Sequence, residues 1–125
     1  MATKVLIVDD SKLARMSVAK HLSALRPGWT RLEAANAEEA LSLANREFPD
    51  IILLDFNMPG QSGLELAAQL HETHPLIPVA IVSANIQVEI VERAGQAGAT
   101  FLAKPLREAA LAAFLDAAEA RLAPR

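Results

Sequence analysis

The sequence predicts a doubly wound α/β fold, a (βα)5 chain whose parallel sheet runs in the order 2-1-3-4-5. Three observations predict it. Five short apolar runs alternate with segments of helical spacing, and strand–helix alternation with right-handed crossovers yields a parallel sheet covered on both faces. The first, third and fourth runs are apolar almost throughout, as strands buried on both faces must be. The second alternates polar with apolar, which suits an edge.

The elements follow in order. Met1 to Lys4 leads straight into a first strand, Lys4–Val8, with no signal peptide. Ala14, Val18, Leu22 and Leu25 then recur at steps of four, four and three, one face of a helix. Thr30–Ala34 is the alternating edge strand. Asn36-Ala37-Glu38-Glu39 fits a capping box that opens the second helix. Ile51–Leu54 is the third strand and ends at Asp55. Ser62-Gly63-Leu64-Glu65 fits a second capping box and opens the third helix. Val79–Val82 is the fourth strand and runs into Ser83. Ile86, Ile90, Ala94 and Ala97 make the apolar stripe of the fourth helix. Thr100–Ala103 is the fifth strand. Leu111, Phe114, Leu115, Ala118 and Leu122 form the last stripe. The Ala-rich end, Ala109 to Ala123, reads as an amphipathic helix or the start of a linker. Gly28, Gly60 and Gly98 fall at turns or helix ends, and Met16 and Met58 are expected to pack.

The 125 residues make one domain, 1–125, with no repeat, linker or low-complexity stretch. A hydrophobic share of 52% excludes disorder, and a net charge of −3 offers no basic field for nucleic acid. Lys and Arg are denser before residue 32; Lys12, Arg15 and Lys20 read as a solvated helix face or a dock for an acidic partner. Without cysteine there is no disulfide, thiolate metal site or cysteine nucleophile. That suits the cytoplasm. Nothing approaches the roughly 18 apolar residues of a membrane span.

The predicted order puts a switch point between strands one and three, where ligands bind at the carboxyl ends of strands. Asp9, Asp10 and Asp55 converge there. Three close carboxylates repel one another, and a hard divalent cation relieves them. Oxygen ligands with no nearby His or Cys favour Mg²⁺. An Asp can also be a nucleophile and form an aspartyl phosphate. Lys104, directly after Phe101-Leu102-Ala103, is then the cation for the phosphoryl oxygens, and Ser83 a hydrogen-bond donor to them. Taken singly, these residues have plainer readings. Asp9 is a turn former or cap, Lys104 a solvated lysine, Ser83 a cap. His71 and His74 lie i, i+3 with no third ligand in the pattern and read as surface histidines.

Asp9-Asp10-Ser11, Asp55-Phe56-Asn57-Met58-Pro59-Gly60, Ser83-Ala84 and Lys104-Pro105 occur in register with the strand ends. In this the chain resembles, over essentially its whole length, the response-regulator receiver (CheY-like) domain of two-component signalling, which has a flavodoxin-like fold. The resemblance implies a phosphoacceptor at Asp55 and a Mg²⁺ site made by Asp10, Asp9, Asp55 and the backbone carbonyl of Asn57. It implies a phosphate-pairing Lys104, a switch pair in Ser83 and Phe101, and a cis peptide bond before Pro105. Phe101 lacks the hydroxyl of a tyrosine switch. Small Ala84 leaves the site accessible, and Asn57 and Asn85 occupy positions that tune autodephosphorylation.

The implied partners are a sensor histidine kinase or a histidine phosphotransfer protein, and a downstream protein target. Neither nucleic acid nor membrane is bound directly, and a phosphorylation-dependent dimer stays open. No DNA-binding or enzymatic output segment is expected within these residues, which favours a stand-alone regulator that catalyses only its own phosphorylation and dephosphorylation. Three rivals remain. One is a degenerate receiver that binds partners without phosphorylation. Another is a phosphatase of the haloacid-dehalogenase type, which needs a second Asp two residues after the nucleophile where this chain has Asn57. The third is a flavin module, which lacks a Ser/Thr/Gly-rich phosphate loop after strand one.

Overall fold

A computed structural model of the chain describes residues 3–58 and 60–122. Met1, Pro59, Ala123 and Arg125, with the Leu122 side chain, lie outside the described residues. Ten elements alternate: β1 (Lys4–Val8), α1 (Lys12–Leu25), β2 (Thr30–Ala34), α2 (Ala37–Glu47), β3 (Ile51–Asp55), α3 (Gly63–Thr73), β4 (Val79–Ser83), α4 (Val88–Gln96), β5 (Ala99–Ala103) and α5 (Glu108–Leu122). All four strand pairings are parallel, in the order β2-β1-β3-β4-β5. The alternating strand β2 is an edge, as its polar positions require.

Side chains of a strand point alternately to its two faces, so each central strand feeds two cores. Leu6, Val8, Ile52, Leu54 and Ile81 pack with Ala40 and Ala44 of α2, Leu66 and Leu70 of α3, and Ala94 of α4. Val5, Ile7, Ile51, Leu53, Ala80 and Val82 pack with Leu22 of α1 and Leu111, Phe114 and Leu115 of α5. Helices α1 and α5 therefore cover one face, and α2 to α4 the other. Arg26, just past α1, clamps the first pair. It reaches Asp116 at 2.6 Å and Glu119 at 2.8 Å on α5. No helix among the described residues is long and apolar enough to cross a membrane.

Several boundaries and burials differ from the sequence reading. β3 and β4 each run one residue further, so Asp55 and Ser83 are the last residues of strands rather than the first of loops. β5 begins one residue earlier, at Ala99. α4 starts only at Val88, which leaves Ile86 outside the helix and 66% exposed. Two turn bonds keep it out: the Asn85 N–H donates to Ser83 Oγ at 3.0 Å, and the Gln87 N–H to Asn85 Oδ1 at 3.1 Å. Met16 is 55% exposed rather than packed. It stands two residues, about 200°, from Ala14 and so faces away from the buried stripe. Met58 does pack, against the core beneath α2 to α4.

The two capping boxes form in part. Asn36 Oδ1 accepts from the Glu39 N–H at 2.8 Å, and Ser62 Oγ from the Glu65 N–H at 3.2 Å. The return bonds go elsewhere than the cap's own amide. Glu39 accepts from the Ala35 N–H at 2.9 Å, and Glu65 from the Ser62 hydroxyl at 3.3 Å.

Candidate functional site

The site forms where β1 and β3 end side by side and their following helices leave to opposite faces. Asp9 still belongs to the sheet's edge geometry, since its N–H donates to the Ala34 carbonyl of β2 at 3.1 Å. Its Oδ1 accepts the Ser11 N–H at 2.9 Å. Ser11 in turn caps α1, its Oγ accepting from the Ala14 N–H at 3.2 Å. Asp10 is exposed. Asp55 closes β3 opposite Val82 and is buried. Oxygens of Asp9, Asp10 and Asp55 lie within 4.8 Å of one another, the metal-capable cluster among the described residues.

Strand β5 brings the counter-charge. The Lys104 N–H donates to the Ser83 carbonyl at 2.9 Å, which extends the β4–β5 ladder to the rim. The Lys104 ammonium then reaches Asp55 Oδ1 at 2.5 Å. Asp55 is buried while the Lys104 side chain is 40% exposed, so the pair lies at the boundary between core and solvent. The Lys104–Pro105 peptide bond is cis. Burial pushes the Asp9 carboxyl above its ordinary value of 3.8. The Ser11 N–H opposes that shift, the Asp55 charge adds to it, and Lys104 opposes it.

The remaining expected residues fall around this centre. Ser83 ends β4, one residue beyond the neighbour of Asp55, and is fully buried with its hydroxyl accepting from Asn85. Asn57 is exposed in the segment after Phe56, and Ala84 and Asn85 are exposed after Ser83. Phe101 lies opposite Ile81, half-buried against the α2-to-α4 core. His71 and His74 lie in and just after the last turn of α3, away from the residues of the acidic cluster. His71 lies against Gly98, and His74 Nδ1 meets Thr73 Oγ1 at 2.9 Å.

A cavity of about 280 Å³ opens beneath the rim, between α1 and the segment that follows β5. Asp9, Asp55 and Lys104 line it together with Val18, His21 and Leu106. The donor set suits a small hard cation: it is all oxygen, two of its three carboxylates are buried, and the third opens to water. Lys104 adds one positive charge directly beside Asp55.

Two residues at the site escaped the sequence reading. Gly63 was read only as part of a capping box. A Cβ placed there would lie 2.4 Å from the Asp55 carbonyl oxygen, and the Gly63 N–H donates to the Phe56 carbonyl at 2.9 Å. The available signal was a glycine at the first helical position, where helix propensity alone favours other residues. Arg15 was grouped with Lys12 and Lys20 as solvated or docking charge. It instead turns inward, and its Nη1 donates to the Asp9 carbonyl at 2.7 Å.

Comparison with known proteins agrees with this geometry. A family model described as the response regulator receiver domain matches residues 5–116. The chain is 43% identical over 117 residues to the positive alginate biosynthesis regulatory protein of Pseudomonas aeruginosa, covering 91% of this chain and 46% of that protein. It is 32% identical to sporulation initiation phosphotransferase F of Bacillus subtilis, covering 84% of each. Among solved structures, chemotaxis protein CheY4 of Vibrio cholerae superposes with a TM-score of 0.84 at 29% identity, covering 94% of this chain and 99% of that one. The chain spans about half the length of several curated relatives, 46% of the alginate regulator and 47% of the transcriptional activator ExaE of Pseudomonas putida. With its sheet order, its paired strand-end acids and a family match over residues 5–116, the chain belongs to the response-regulator receiver domains of two-component signalling.

Proposed function

We propose that residues 1–125 form a phosphorylation-dependent switch in which Asp55 accepts a phosphoryl group from the phosphohistidine of a partner kinase or phosphotransfer protein. The observation that carries this reading is the 2.5 Å pair between Lys104 and Asp55 inside a three-carboxylate cluster. A buried carboxylate beside two further acids is electrostatically costly, and a bound cation offsets that cost. An Asp Oδ attacks phosphorus as the P–N bond breaks; the electron pair leaves on the imidazole nitrogen, which takes a proton from solvent.

Asp9, Asp10, Asp55 and the Asn57 carbonyl would hold Mg²⁺, which when bound neutralises charge on the transferring group. Lys104 then trades its bond to Asp55 for one to a phosphoryl oxygen. The Ser83 hydroxyl, now an acceptor from Asn85, turns to donate its own proton to another. Asn57 and Asn85 stand where they set the rate of hydrolysis. The contacts of Ser83 and Lys104 bias a pre-existing equilibrium towards the active state. Phe101 turns inward with that shift and repacks the surface of α4, β5 and α5, which meets a downstream protein or a second copy. The domain works in the cytoplasm and turns over nothing but its own phosphoryl group.

Incubation with a small acyl phosphate and MgCl₂, followed by intact-mass measurement, tests this. One added phosphoryl group is expected in the wild type and none in Asp55→Ala. An unmodified wild type beside a competent receiver control overturns the proposal and leaves a phosphorylation-independent binding module.

A further inference from the structure

Arg15 sits against a local rule. Helix α1 has no acidic residue in its first turn, and its first four residues include Lys12 and Arg15. The helix dipole favours anions there and disfavours cations. Lys12 and Lys20 are exposed, but the Arg15 side chain is only 15% exposed. A charge turned inward against the helix field marks a place where something else overrides local preference.

What it touches is specific. Nη1 donates to the Asp9 backbone carbonyl at 2.7 Å, and Nε to Glu33 Oε1 of β2 at 2.8 Å. Asp9 is thereby held at three points: its N–H by the Ala34 carbonyl, its Oδ1 by the Ser11 N–H, and its carbonyl by Arg15. The carbonyl of residue 9 and the N–H of residue 10 share one rigid plane. Fixing that carbonyl fixes the direction in which Asp10 leaves β1. Glu33 fixes the guanidinium in turn, and the two donors lie in one planar fork that lysine cannot reproduce.

We propose that Arg15 is a positioning residue for the metal site, orienting the Asp9–Asp10 peptide so that both carboxylates face Asp55, with Glu33 as its own anchor. This rests on the Mg²⁺ reading given under Proposed function. It acts through Asp9 and Asp10 and touches neither metal nor phosphoryl group.

Calorimetric titration of the whole chain with MgCl₂ tests it, with thermal midpoints in EDTA recorded for every variant. Arg15→Met should weaken Mg²⁺ about 10-fold, the scale of a lost outer-shell partner. Glu33→Gln should weaken it less. The double variant should bind no worse than Arg15→Met, because Glu33 works through Arg15. Arg15→Lys should recover part of the loss through its single donor. A folded Arg15→Met with wild-type affinity overturns the inference. If Arg15→Met does not fold, wild-type affinity in both Glu33→Gln and Arg15→Lys overturns it instead. A wild type that binds no Mg²⁺ defeats the metal reading and this role with it; a wild type that binds beside an unchanged Arg15→Met defeats the role alone.

Discussion

Burial holds the Asp9 proton more tightly in the folded protein than in the unfolded chain, so its folded pKa stands above 3.8. Between those two values the native state binds more protons, and stability falls as pH rises. The favourable contribution of neutral Asp9 is complete below the unfolded value and lost as pH passes the folded one. At neutral pH and without metal, a charged Asp9 therefore strains the fold that carries it. Asp9→Asn should raise the thermal midpoint in EDTA at pH 7, because the amide oxygen can still accept the Ser11 N–H. It should also flatten the decline in midpoint above pH 3.8, and in millimolar Mg²⁺ it should respond to metal less than the wild type. Melts across a pH series check all three, and a variant less stable than wild type at pH 7 in EDTA counts against the account. The acids were legible in the sequence because a carboxylate at the end of an apolar run is unusual by residue type alone. Arg15 and Gly63 were not, because each answers to a backbone carbonyl, of Asp9 and of Asp55, and carbonyls leave no mark in residue identity.

At the scale of elements, α3 is pressed so closely against the end of β3 that only glycine fits at its first position. A methyl at residue 63 would meet the Asp55 carbonyl oxygen at 2.4 Å and the Phe56 Cα at 2.9 Å, both backbone and unable to swing aside. Gly63→Ala should cost about 1–3 kcal/mol, as overpacking does. The displaced β3 end should also slow phosphorylation of Asp55 by a small phosphodonor. Gly28→Ala is the control, since nothing lies within 4 Å of a Cβ there. Denaturant melts and donor-labelling rates separate the two variants, and a Gly63→Ala as stable and as reactive as Gly28→Ala would contradict the packing argument. The strands, α1 and α5 were legible because their periods are imposed by burial, and α2 and α3 were legible from their capping boxes. α4 was legible only in part. Ile86 continues the apolar stripe of Ile90 and Ala94, yet the Ser83–Asn85–Gln87 turn bonds hold it out of the helix. α4 lacks a side-chain cap and leaves Val88 and Val91 exposed, so local hydrogen bonding, which periodicity does not record, decides where it starts.

For the whole molecule, the sheet order was legible because apolar strands belong at the centre and the alternating Thr30–Ala34 at an edge, and the observed order places them so. That order is what gathers Asp9, Asp10 and Asp55 from strands far apart in sequence, so the proposed metal binding would be tied to global folding: the unfolded chain has no such cluster. A cation that binds only the folded state stabilises it by RT ln(1 + [L]/Kd), about 1.4 kcal/mol at ten times Kd. Unfolding entropy near 2.1 cal/mol/K per residue, over 125 residues, turns this into a rise of about 5 °C in midpoint. Differential scanning calorimetry in EDTA, in MgCl₂ and in NaCl of equal ionic strength separates binding from screening, since exposed ion pairs such as Lys4–Glu47 respond to either salt. The Mg²⁺ rise should grow with log concentration, vanish in the NaCl series and shrink in Asp10→Asn. Equal midpoints in all three solutions would mean that the three carboxylates tolerate one another without a metal.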